Sequence, residues 1–93
     1  MAPQDTSATS DHLQGLILQL CAARGAGKSI CPSEVARAAS GNPNDGPTWK
    51  PLMRAVRLAA AELQDRGEVR VLRKGKPVDI RTVKGVIRLA LPE

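Results

Sequence analysis

The sequence predicts a mainly helical domain closed by a small antiparallel sheet, and three observations carry that prediction. Across residues 48–67, Leu52, Val56, Ala59 and Leu63 recur at steps of four, three and four, with Trp49, Met53 and Ala60 beside them, so one apolar stripe runs along a long helix. Toward the C-terminus two short runs, 69–73 (VRVLR) and 86–91 (VIRLAL), are β-branched and partly alternating, as strands are. Between them lies 74–85 (KGKPVDIRTVKG), where Gly75, Pro77 and Gly85 break any regular pattern and mark a basic loop of about a dozen residues.

In chain order, residues 1–10 (MAPQDTSATS) have almost nothing to bury and are expected to form a disordered tail, leaving 11–93 as one domain. Asp11 is placed to cap a first helix whose apolar face, Leu13, Leu16, Ile17, Leu20 and Cys21, runs to about Arg24. The following GAGKS resembles a phosphate loop but fails as one. A Walker loop needs glycine five positions before Gly27, where Ala22 stands, and it follows a strand rather than a helix. It reads as a helix stop and a turn into a very short strand at Ser29 and Ile30. Pro32 suits the first position of a second helix over 32–39, and 40–47 (SGNPNDGP) is a loop. Thr48 then caps the third helix, Pro51 falls in its first turn, and Gly67 ends it. In the strands, Val69, Val71, Ile87, Leu89 and Leu91 point inward and Arg70, Arg73 and Arg88 outward. Three helices followed by a hairpin make a winged helix-turn-helix, with 74–85 as the wing.

Ninety-three residues suffice for one small core, and with no Phe, no Tyr and one Trp that core is aliphatic. The same lack removes the platforms on which single strands and RNA bases stack. The net charge of +5 is uneven: residues 68–88 hold seven basic and two acidic side chains, whereas 1–47 hold three and four. Such concentration suggests a polyanionic partner. No run is apolar for long enough to span a membrane, and the first residues are polar and acidic, so a cytoplasmic protein with Cys21 and Cys31 as free thiols is expected. One histidine, His12, two separated cysteines and scattered acids supply no triad, metal set or carboxylate pair. The chain is therefore expected to be no enzyme and to hold no cofactor or metal.

The partner these residues suit is double-stranded DNA. Lys50, Arg54 and Arg57 share one side of the third helix, where arginine pairs with guanine and lysine meets phosphate. The wing adds Lys74, Lys76, Arg81 and Lys84 for the backbone or minor groove, and Ser33 with the first amides of the second helix suits a phosphate. Trp49 is assigned to the core as a wedge at the helix start, and Cys31 to a small buried position. The function expected is that of a small transcriptional regulator or accessory factor, a monomer or weak dimer because no extra helix remains for an interface. The alternative is a protein–protein interaction module, which would show an exposed apolar patch around Leu72, Val78, Ile80 and Val83.

The words match as well as the order. Ile30-Cys31-Pro32-Ser33-Glu34-Val35-Ala36-Arg37, Trp49 with Leu52-Met53 and Val56-Arg57, Lys74-Gly75 with Val78-Asp79, and Gly85 with Ile87-Arg88-Leu89 resemble an uncharacterised bacterial family of small winged-helix proteins, known as a domain of unknown function. The resemblance covers about residues 12–91, with the ICPSEVAR stretch its most specific part. It implies the fold and carries no activity. It makes 32–39 the second helix, 48–66 the third and 74–85 the wing. At about nineteen residues the third helix exceeds a usual recognition helix, so its C-terminal half is assigned to packing.

Overall fold

The computed structural model describes residues 9–92. The expected tail falls outside these residues except for its last two positions, Thr9 and Ser10, which belong to the first helix. Helix α1 spans Ser10–Arg24, and its cap is Thr9 rather than Asp11: the Thr9 hydroxyl accepts the His12 amide at 3.4 Å. Asp11 instead sits in the first turn, where its charge meets the positive end of the helix dipole. At the other end Gly25, with φ of 106°, turns its N–H back to the Cys21 carbonyl at 3.1 Å.

The short strand reduces to one bridge, in which Ile30 and Leu89 exchange N–H and C=O at 2.8 Å each. Helix α2, Pro32–Ser40, follows with proline in its first turn, and the Glu34 carboxylate accepts the Cys31 N–H at 2.7 Å.

The long helix differs from expectation at its start. Helix α3 covers Gly46–Trp49, a 3-10 turn covers Lys50–Leu52, and helix α4 covers Met53–Asp65. Thr48 does not cap; it donates its hydroxyl to the Asp45 carboxylate at 2.6 Å, and Asp45 precedes the helix. Because the helical path begins two residues early, Pro51 falls past its first turn, where its missing N–H removes a bond that an α-helix needs. The backbone tightens there instead, and the Met53 N–H reaches the Lys50 carbonyl. Gly67, with φ of 73°, closes the helix as expected.

The wing also differs. Strand β1 is Arg70–Arg73, β2 is Lys76–Pro77 and β3 is Arg88–Ala90, in the antiparallel order β2-β1-β3. Residues 74–85 are thus not one loop. Lys74 and Gly75, with φ of 52° and 80°, make a tight two-residue turn into β2, with Arg73 opposite Lys76. Pro77 is tolerated because β2 is the sheet edge. The chain then crosses over through 78–87 to reach the far side of β1, where Val71 faces Leu89.

Helices on one side and the three-stranded sheet on the other enclose Leu13, Ile17, Val35, Val56, Leu63, Val71 and Leu89, all buried, in a winged helix-like arrangement. Val69, Val71, Ile87 and Leu89 are buried as expected, whereas Leu91 is half-buried and Ala90, not among the expected inward residues, is buried. Gln14 pins α1 to α4 through the same interior: its amide donates to Ser10 and to the Glu62 carboxylate, and its carbonyl accepts from Arg66.

Both cysteines are free thiols. Cys21 is buried, 3.8 Å from the Leu89 carbonyl, and burial, aided by the charge of Glu34, pushes its thiol above the ordinary value. Above about pH 8.5 the unfolded chain therefore ionises this thiol while the folded chain keeps it protonated, so stability falls as the pH rises through that range. Urea titrations at pH 7 and pH 9.5 should show a loss of stability that Cys21→Ala, though weaker at both pH values, suffers less. An equal loss in both proteins would contradict the assignment.

Candidate nucleic-acid interface

The side of α4 away from the core divides into two halves. In its C-terminal half Ala61 is covered by the crossover, and Gln64 fastens that segment in place. The Gln64 amide donates to the Val78 carbonyl at 2.6 Å, and its side-chain carbonyl accepts the Ile80 N–H at 3.0 Å. One side chain thus satisfies two backbone groups of an otherwise irregular segment and seats Ile80, itself buried, beside the helix. The expected packing role of this half of the helix is what the contacts describe.

The N-terminal half is open. Arg54 and Leu58 are exposed, Arg57 is half-buried, and with Ala61, Ile80 and Arg81 they line a groove of about 410 Å³. A second groove, of about 270 Å³, lies between the start of α2 and the end of the crossover and is lined by Cys31, Pro32, Met53, Val86 and Ile87. Arg57 is the wall common to both.

The predicted site residues are distributed unevenly around this surface. Arg54, Arg57 and Arg81 meet at the first groove, but Arg81 is already engaged, donating to both Asp65 carboxylate oxygens at 2.6 and 2.8 Å. That hydrogen bonding, and the charge of Asp65, hold its guanidinium protonated even more firmly than usual. Among the described residues Arg54 and Arg57 form no ion pair. Lys50 does not join them. Its chain lies against Gly46 and its ammonium is 5.9 Å from the Trp49 ring centroid, a consequence of the 3-10 turn that separates it from α4. Lys74 and Lys76 are exposed at the hairpin and Lys84 is exposed on the crossover. Ser33 donates to the Cys31 sulfur at 3.1 Å, and the neighbouring cap amide is already held by Glu34, which also pairs with Arg24 at 2.7 Å. The start of α2 therefore carries its own anion.

Three arginines of the basic C-terminal segment donate to groups of the fold itself. Arg70 donates to the Leu91 carbonyl at 3.1 Å, Arg73 to the Val86 carbonyl at 3.2 Å, and Arg88 to both the hydroxyl and the carbonyl of Ser29 at 3.0 and 2.9 Å. Gly85, with φ of 94°, crosses directly over the Arg73 guanidinium, where a Cβ would collide with a guanidinium nitrogen. Trp49 is half-buried at the edge of the core, with the Arg37 guanidinium over its ring at 4.5 Å.

Of the four residues expected to make the apolar patch of an interaction module, Ile80 is buried and Leu72, Val78 and Val83 are half-buried. Among the described residues the exposed large apolar side chains are Leu58 and Val86, at 60% and 75% exposure. Sequence reasoning passed over Leu58, although its place one turn beyond Arg54 puts it on the open side of the helix. Among the described residues no helix is long and apolar enough to cross a membrane. No curated protein matches the chain. Over residues 10–92, nearly all of the described structure, the chain belongs to the family described as protein of unknown function (DUF3253).

Proposed function

We propose that the protein binds double-stranded DNA, as a small cytoplasmic regulator or accessory factor, with the open half of α4 in the major groove and the lysines of the hairpin and crossover on the backbone. The observation that supports this reading is the contrast among arginines. Arg70, Arg73, Arg81 and Arg88 are engaged with carbonyl or carboxylate groups of the fold, whereas the exposed Arg54 and the half-buried Arg57, one turn apart on α4, form no ion pair within the described residues. Guanidinium groups so placed suit guanine edges, and Lys74, Lys76 and Lys84 suit phosphates.

Fluorescence anisotropy with a mixed-sequence duplex over a salt series tests it. Binding with a log–log slope corresponding to about four to six phosphates is expected, and Arg54→Ala/Arg57→Ala should weaken it by about 1–3 kcal/mol. Absence of binding at low salt would sink the reading. The exposure of Val86 above the smaller groove favours a second one, a protein-interaction module that docks between Pro32 and Val86.

A further inference from the structure

Leu58 is an anomaly on the surface just described. A leucine 60% exposed lines this groove together with Arg54, Arg57, Ala61, Ile80 and the Asp65-paired Arg81, and so sets an apolar side chain among guanidinium groups. Single exposed leucines are common, but this one adjoins an apolar floor, and its rim carries two guanidinium groups with no ion partner among the described residues. An occupant that satisfies both must offer acceptors to the arginines and an apolar group to the leucine within one helical turn.

The major-groove edge of DNA offers that pair. Guanine presents two acceptors to an arginine, and thymine presents a 5-methyl group, the one apolar group exposed in that groove. We propose, resting on the DNA reading above, that Leu58 reads a thymine 5-methyl group next to a guanine read by Arg54 or Arg57. The spacing fits. Four residues of α-helix advance about 6 Å, and successive base pairs about 3.4 Å, so the thymine lies within about two base pairs of the guanine. Ala61 and Ile80 close the far side of the groove, which shields the methyl contact from water and gives it an apolar surround. Leu58 is then a specificity-determining residue, whereas the lysines bind any sequence alike.

Selection from a duplex library with a randomised core, followed by sequencing of the bound fraction, should return a site with thymine within two base pairs of guanine. The enriched duplex is then compared with the same duplex carrying deoxyuridine at that thymine, which removes the methyl and leaves every charge in place. The wild type should bind the uracil duplex about three- to fivefold more weakly, the size expected for one buried methyl group. Leu58→Ala, a surface change whose fold circular dichroism checks, should bind the two duplexes equally. Equal binding of both by the wild type, or binding with no sequence enrichment, overturns the assignment of Leu58 while leaving DNA binding intact. No binding to any duplex at low salt overturns both.

Discussion

Leu89→Ala should lower the folding stability by about 2–5 kcal/mol, the range seen when a buried leucine leaves a cavity. Leu89 is fully buried, its N–H and C=O are both paired with Ile30, and it faces Val71 across the sheet. It is therefore the residue at which the turn before α2, the central strand and the interior of the helices meet. Removing its side chain leaves the backbone ladder intact and empties the space between them. Against the 5–15 kcal/mol available to a domain of this kind, such a loss is a large fraction. Urea denaturation should show a lower midpoint with an unchanged slope. A loss under 1 kcal/mol would mean that the sheet does not pack on the helices through this side chain.

Gln64→Ala should cost about 2–3 kcal/mol, although the residue is polar and only half-buried, because it strips two backbone groups of their partners at once. Val78 already donates its N–H to the Val71 carbonyl of β1 at 2.9 Å, and it is Gln64 that holds its C=O and the Ile80 N–H. Gln64→Glu separates the two bonds, since a carboxylate still accepts the Ile80 N–H but no longer donates to Val78. It should therefore retain part of the lost stability. Hydrogen exchange at the Ile80 amide should speed up in the alanine variant, and the wall of the larger groove should loosen with it. If exchange at Ile80 is unaltered, the crossover is held by something other than Gln64.

The helices were legible because aliphatic spacing alone specifies them: Val56, Ala59, Ala60 and Leu63 lie on the stripe that the sequence shows, and all are buried. The break at Lys50–Leu52 was less so, since the effect of Pro51 depends on where the helix begins, and Gly46 preceding Pro47 looks like part of a loop. The hairpin turn was hidden for a related reason. Lysine rarely adopts the positive φ of Lys74, so the Lys74-Gly75 pair does not resemble the Asn-Gly turns that announce hairpins.

For the site the sequence shows charge but not its use. Arg73, Arg81 and Arg88 look alike along the chain, yet the carbonyl of Val86, the carboxylate of Asp65 and the backbone of Ser29 come to them only after the crossover closes. Arg54, on a helix whose apolar side is fixed by its own stripe, has the exposure that spacing foretold, while Arg57 beside it is half-buried.

The bridge between Ile30 and Leu89 joins residues on either side of α2, α3 and α4, and Gln14 holds Glu62 and Arg66 from a comparable distance along the chain. Contacts so far apart in sequence make loop closure, rather than helix formation, the slow part of folding. They also impose an order on synthesis. A nascent chain that has completed all its helices still lacks β3, the strand that seals the core, so on the ribosome the domain stays open until its last strand emerges.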